Sequence, residues 1–302
     1  MEDKMRIFVT GGTGFIGKKL TKVLALQGHE LYILTRSKAG KTDTENIKYI
    51  EGNPISSGNW QNLIEGCDIV ANLVGESILQ RWNEDAKKRI RDSRIVATKN
   101  IVDAIPAGKK LTLISTSAVG YYGFHEDEII DESYPPGNDF LANVAKDWEN
   151  EALKAKEKGA RVIITRFGLV IGEGGGILEK LIPIFKSYAG GPIGDGMQWF
   201  SWVYMDDLIK AYLFLINSKE LEGPFNITSP NPVRNKDFSK ALAKALNVFA
   251  IFSVPPFAIK LALGEFAEYS IKGQRVIPKR LLELGFQFDV PDIFDALKRV
   301  VK

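Results

Sequence analysis

Through the first half of the chain, short apolar runs rich in β-branched residues alternate with segments whose apolar positions recur every three to four residues. The runs are RIFVT (6–10), ELYILT (30–35), IKYI (47–50), DIVANLV (68–74), LTLIST (111–116) and RVIITRF (161–167). Between the first two, Phe15, Ile16, Leu20, Val23 and Leu24 share one helical face. The runs are continuous, without the polar alternation of a half-exposed sheet, so they predict strands buried on both faces. Such a βαβ rhythm predicts an α/β fold with a Rossmann-type doubly wound parallel sheet, whose ligands bind at the carboxyl ends of the strands.

After residue 172 the pattern changes. GEGGGILEK opens a glycine-rich loop and a helix, WFSWVYMDDLIKAYLFLIN a strand and a helix, and GPFNIT one more strand, after which helical patterns dominate. The predicted organisation is a dinucleotide-binding domain over 1–171, rejoined by about 199–228, with a smaller, mainly helical lobe from 172–198 and 229–302.

The stretch TGGTGFIG (10–17) joins the first strand to the first helix and satisfies G-x-G-x-x-G through Gly12, Gly14 and Gly17. Bare positions there let the backbone turn sharply and approach a pyrophosphate at a helix N-terminus, which makes Gly11, Gly12, Thr13, Gly14, Phe15, Ile16 and Gly17 a candidate dinucleotide cradle. An NAD site usually has an acid at the end of the second strand to take the ribose hydroxyls. This chain has Arg36, Ser37 and Lys38 instead, a set that suits the 2'-phosphate of NADP better than NAD.

Bulk properties narrow the field. The 302 residues can bury a substantial core, 25% are charged, and the net charge of +3 comes from no concentrated basic block, so nothing asks for nucleic acid. KKRIRDSR (87–94) reads as a solvated helix face. One cysteine, Cys67, provides no disulfide framework, and with only His29 and His125 beside it no metal site is expected. No apolar run reaches membrane-spanning length, and the N-terminal residues resemble neither a signal nor a transit peptide, so a cytoplasmic protein is expected.

Beyond the glycine turn, NLVG (72–75), STSAVGYYG (115–123), TRFGLVIG (165–172), WVYMDD (202–207) and FNIT (225–228) resemble the extended short-chain dehydrogenase/reductases. Fragments such as GESILQRWNEDAKKRIRDSRIVAT, DFLANVAKDWE and IPKRLLELGFQF are similar to an atypical, epimerase-like branch of that superfamily. The likeness covers nearly the whole chain. It implies that Leu73, Val74 and Gly75 pass beside the cofactor, that Ser117 stands where a serine binds the reacting oxygen, and that a helix-pair homodimer is the assembly to expect.

It also implies a Tyr-x-x-x-Lys pair on the helix after the fifth strand, and this chain lacks it. Phe140 and Leu141 stand near the tyrosine position and Val144 and Ala145 four residues on, while Lys146 lies on another face. Tyr121 and Tyr122 are the candidate replacements, with His125 and Lys146 behind them. Two sugar-diphosphate ligands of the wider superfamily are replaced by Leu169 and Trp199. Trp199 with Phe200 and Trp202 suggests an aromatic wall, one member of which belongs to the core.

Arg81, Trp82 and Arg94 follow NLVG closely enough to reach the cleft, and Arg81 with Trp199 are the candidate substrate contacts. Asp206 and Asp207 read as helix caps, and GEGGGIL as a crossover loop or a second anion-binding turn. Three functions remain open: an NADP-dependent oxidoreductase or epimerase-like enzyme acting on a small hydroxyl- or carbonyl-bearing molecule, a non-catalytic NADP-binding sensor or partner-binding module, and an NAD-dependent nucleotide-sugar epimerase.

Overall fold

The computed structural model describes residues 4–249 and 253–301. In chain order come β1 (Arg6–Thr10), α1 (Phe15–Leu26), β2 (Glu30–Thr35), β3 (Ile47–Glu51), β4 (Ile69–Asn72), α2 (Glu84–Ala104), β5 (Thr112–Ala118), β6 (Ile129–Ile130), α3 (Phe140–Leu153) and β7 (Arg161–Phe167). There follow β8 (Leu169–Ile171), α4 (Gly176–Lys186), β9 (Trp199–Phe200), β10 (Trp202–Tyr204), α5 (Met205–Asn217) and β11 (Gly223–Ile227). The remaining described elements are β12 (Val233–Arg234), α6 (Asn235–Leu246), α7 (Pro256–Leu263), α8 (Ala267–Ile271), β13 (Arg275–Val276), α9 (Lys279–Glu283) and α10 (Ile293–Val300).

Seven strands form one parallel sheet in the order β11-β7-β5-β4-β1-β2-β3. The fold is the Rossmann-type α/β arrangement that the apolar runs predict. Adjacent residues of one strand serve opposite cores, which is why the runs do not alternate. Ile7 and Val9 pack with Leu20 and Leu24 of α1 and Leu208 and Tyr212 of α5. Phe8 packs on the other face with Ile101 of α2 and Ala152 of α3. The direction of winding reverses between β1 and β4, so a crevice opens at their carboxyl ends.

A buried polar cluster fixes those ends. Thr10 Oγ1 donates to Asn72 Oδ1 (2.8 Å), and Asn72 Nδ2 donates to Thr98 Oγ1 (2.8 Å) and Ser115 Oγ (3.2 Å), so one side chain joins β1, β4, β5 and α2. Among the described residues no helix is long and apolar enough to cross a membrane.

A third core holds the later elements together. Trp202 of β10 is fully buried against Phe238 and Leu242 of α6 and Leu297 of α10. It is the core member of the aromatic trio.

Asp206 and Asp207 are not the helix caps expected of them, because α5 starts at Met205 with Tyr204 at its N-cap and both acids lie inside the first turn. Asp206 pairs with Lys19 (2.9 Å). Asp207, 1% exposed, accepts the main-chain N–H groups of Asp289 (2.8 Å) and Val290 (2.9 Å), anchoring the segment before α10. Replacing Asp207 by Ala strands a buried N–H at Val290, so urea unfolding should show a loss of about 1–3 kcal/mol. A loss within about 0.5 kcal/mol, as at ordinary surface sites, would contradict the anchoring role.

Candidate functional site

Gly11 has φ +70°, and a Cβ on it would sit 2.6 Å from the carbonyl of Leu73. A Cβ on Gly17 would lie 2.2 Å from the Gly11 carbonyl oxygen. These two glycines close the turn. Gly14 differs: its φ is −80°, and an added Cβ would meet nothing nearer than the Gly11 oxygen at 3.2 Å.

Open space therefore remains above Gly14, at the N-terminus of α1, which has no side-chain cap and no acid in its first turn. Unpaired N–H groups and the positive end of the helix face that space, as a pyrophosphate requires. Thr116 Oγ1, at the carboxyl end of β5, is buried without a partner among the described residues. A bare cradle at the end of β1, with an unsatisfied hydroxyl two strands away toward the end of β5, fits a dinucleotide.

Leu73 and Val74 run directly beside Gly11, with Leu73 N–H donating to Thr10 O (3.1 Å), so the structure brings the two candidate cofactor segments together, while Gly75 lies against Arg94. Thr13 borders the cradle, Ile16 packs into the core below it, and Phe15 lies against the 172–176 loop. A Cβ on Gly172, Gly175 or Gly176 would come within 3.1 Å of the Phe15 side chain, so that loop's glycines exist to let it settle on the ring.

Arg36 and Ser37 follow β2, with both side chains exposed. Ser37 O accepts Thr35 Oγ1 (2.9 Å) and Lys41 Nζ (2.6 Å), which bends the segment. From Gly12 and Thr13 a groove of about 730 Å³ runs along α1, lined by Lys18, Lys22 and Lys41.

A second cavity, of about 310 Å³, lies at the carboxyl ends of β5 and β7. Ala118 and Phe167 form its base, Trp199 and Phe200 one wall, and Phe266 and Tyr269 of the C-terminal lobe another. Leu141, Val144, Ala145 and Trp148 of α3 complete it. Leu141 and Ala145, four residues apart, thus share the cavity face, while Phe140 turns to Trp82 (ring centroids 5.2 Å) and Lys146 is exposed. The helix that should carry an acid–base pair presents hydrocarbon.

Ser117, expected at the cleft, does not offer its hydroxyl there. It donates to Glu149 Oε1 (2.6 Å), and its residue is 2% exposed. Glu149 is gripped by Arg166, whose Nε reaches Oε1 (2.8 Å) and whose Nη2 reaches Oε2 (2.7 Å). Burial pulls the Arg166 pKa down, but the hydrogen-bonded Glu149 carboxylate outweighs it and leaves the group above its ordinary value.

Arg166 Nη1 donates to Tyr122 Oη (2.8 Å), which donates to Asn226 Oδ1 (2.7 Å). Tyr122 is fully buried, and burial pushes its phenol up to about 12. The expectation of Tyr122 as a cleft residue fails on placement, because it is fully buried among Ile130, Val276 and Tyr134 and does not line the cavity. Tyr121 lies with its ring 3.6 Å from the Arg166 guanidinium and outside the cavity wall, its pKa raised by burial. A proton-shuttling tyrosine needs the opposite shift.

The remaining candidates divide. Trp199 lines the cavity, with Nε1 donating to Asp127 Oδ1 (3.0 Å). Arg81 does not, because it is exposed beside Gly264. Arg94 does, partly buried, with Nη1 donating to Ile90 O (2.9 Å) and Nη2 to Glu76 O (3.0 Å). His125 packs on Tyr134, its ring nitrogens facing Tyr122 O (3.0 Å) and Glu128 (2.9 Å).

Sequence reasoning missed Glu149 and Tyr269. A signal existed for the first: Arg166 interrupts an otherwise apolar strand, and an arginine in such a place requires a buried partner. For Tyr269, whose hydroxyl donates to Asp139 Oδ1 (3.0 Å), no local pattern pointed to the cleft.

Two measurements follow. Glu149→Ala leaves Arg166 buried and unpaired, so chemical denaturation should show a loss of about 3–5 kcal/mol; a loss below about 1 kcal/mol would mean that the pair does not hold the core. Gly14→Ala should keep stability within about 1 kcal/mol while weakening NADPH binding, because the new methyl occupies the cradle and asks only a small shift of the Gly11 carbonyl, 3.2 Å away. Unchanged affinity would place the pyrophosphate elsewhere.

Comparison with known proteins agrees with this geometry. Residues 7–228 match the model of the NAD dependent epimerase/dehydratase family, and residues 254–300 match a domain of unknown function. The chain is 41% identical to the chloroplastic "Epimerase family protein SDR39U1 homolog" of Arabidopsis thaliana, covering 100% of this chain and 88% of that protein. It is 38% identical to "Epimerase family protein YfhF" of Bacillus subtilis, covering 98% of each. The crystal structure of the human epimerase family protein SDR39U1 with NADPH superposes with a TM-score of 0.86 at 30% identity, covering 98% of this chain and 99% of that one. This chain belongs to the NAD dependent epimerase/dehydratase family.

Proposed function

We propose that the protein is an NADP(H)-dependent oxidoreductase acting on a small, largely apolar molecule that bears a carbonyl or hydroxyl group. One observation carries this reading: the glycine cradle, at the carboxyl end of β1, and an apolar cavity of about 310 Å³, at the carboxyl ends of β5 and β7, open on the same edge of the parallel sheet. When bound, the nicotinamide would supply or accept a hydride. The chain's residues position and shield. Arg36, Ser37 and the lysine-lined groove favour the 2'-phosphate, and the solved human relative holds NADPH. Trp148, Trp199 and Phe200 exclude water from the ligand's apolar part.

Ser117, Tyr121 and Tyr122 act in this reading as positioning residues, holding Arg166 and the end of β5. The ligand oxygen exchanges its proton with water, since Leu141 and Ala145 offer none and Tyr269, its pKa raised by burial, keeps its own. Turnover is therefore expected to be slow. A non-catalytic NADP(H) sensor is the second reading, favoured by the same hydrocarbon face of α3.

A panel of carbonyl compounds followed by NADPH absorbance decides between them. Turnover that survives Tyr121→Phe, with its pH profile unchanged, supports the oxidoreductase; silence across the panel with tight NADPH binding supports the sensor. In either case Arg36→Ala should cost about 1–3 kcal/mol of NADPH affinity and leave NADH nearly unchanged. Equal losses for both would remove the NADP assignment.

A further inference from the structure

The cavity wall carries a positive charge that is paired with no carboxylate among the described residues. Arg94, on α2, spends two of the five N–H donors of an arginine on the main-chain carbonyls of Ile90 and Glu76. Its guanidinium carbon lies 5.4 Å from the Trp148 ring. Gly75 leaves room for it at the end of β4, where a Cβ would stand 3.1 Å from that carbon. Among the described residues no carboxylate lies within ion-pair distance, and Glu76 acts on it only from farther away. Burial pulls its pKa down to about 10, which still leaves it charged at neutral pH.

The other charges in the wall are answered locally. Asp139 Oδ1 accepts the N–H groups of Leu141 (3.0 Å) and Ala142 (3.1 Å) at the head of α3 and the hydroxyl of Tyr269 (3.0 Å). Lys272 pairs with Glu268 (2.5 Å). What remains in the apolar lining is the Arg94 guanidinium, which has donors to spare and no ion-pair partner among the described residues, while the one carboxylate of the wall, Asp139, is turned to the head of α3 and Tyr269. A partly desolvated charge of that kind is costly unless a ligand supplies its counter-ion.

We propose that the cleft takes an apolar, ring-sized molecule carrying a carboxylate, with Arg94 as its anion handle. This rests on the reading of the cavity as the ligand site of the NADP(H)-binding protein. A carboxylate suits the planar guanidinium fork, while the aromatic walls take the hydrocarbon. The cofactor's own phosphates are the other anion of matching chemistry, and the experiment separates the two.

The full chain, saturated with NADPH, is titrated by calorimetry with 2-naphthoate and with 2-naphthamide, which share a ring and differ in charge. Naphthoate should bind at least about tenfold more tightly. Arg94→Gln should level the two while leaving NADPH affinity unchanged, and Arg94→Lys should keep part of the preference. Equal affinities in the unaltered protein, or no binding of either probe, would overturn the proposal. So would an Arg94→Gln variant that loses NADPH affinity but keeps the preference, since the guanidinium would then serve the cofactor. If that variant does not fold, the unaltered protein's preference decides. Failure of the NADP(H) reading would show separately, as no heat from NADPH, and the probes would then be compared on the free protein.

Discussion

The bidentate pair between Arg166 and Glu149 is the constraint on which the arrangement of the cleft depends. It joins the carboxyl half of β7 to the middle of α3, and its spare donors and acceptors take Ser117 from β5 and Tyr122 from the following turn. Two buried charges are tolerable because nearly every lone pair is occupied. The network continues outward: Tyr122 reaches Asn226, whose Nδ2 donates to Ile277 O (3.0 Å) and whose N–H donates to Glu132 Oε1 (3.0 Å). Strand ends of the nucleotide-binding sheet and the segment leading into α9 are thereby held by one connected set of hydrogen bonds.

That arrangement accounts for the chemistry the cleft lacks. Ser117 and Tyr122 belong to polar residue types expected in a reductase, but their hydroxyls are taken up by the buried ion pair, Ser117 by Glu149 and Tyr122 by Arg166. What faces the ligand on α3 is Leu141 and Ala145, and the phenols nearby are all shifted toward keeping their protons. The cofactor half of the site retains its geometry because it is made of backbone, where missing side chains do the work. Recognition and proton transfer have different requirements, and this chain meets the first without the usual means for the second.

The sheet and the cradle were legible in the sequence because each depends on local signals: continuous β-branched runs, and glycines at fixed spacing between a strand and a helix. The aromatic wall was half legible, since Trp199, Phe200 and Trp202 announce themselves while strand parity alone left open which one turns inward. Ser117 and Tyr122 were misplaced because their hydroxyls are taken by distant partners, Glu149, 32 positions from Ser117, and Arg166 and Asn226 for Tyr122, whose burial no periodicity reveals. Arg81 and Arg94 looked alike on paper. Both follow NLVG closely enough to reach the cleft, but only Arg94 does, its guanidinium held by the Ile90 and Glu76 carbonyls in the space that Gly75 leaves. Asp207 was misread for a similar reason, as its partners lie more than 80 residues away.

The ring of Phe15 has two neighbours that are otherwise unrelated. It stands one residue after Gly14 in the phosphate turn, and the glycine loop at 172–176 rests on it so closely that side chains there would collide. The next residue after that loop, Ile177, borders the apolar chamber. A single phenyl group thus touches both the phosphate turn and the loop that leads into the apolar chamber, so the two stretches share one packing surface made of hydrocarbon alone.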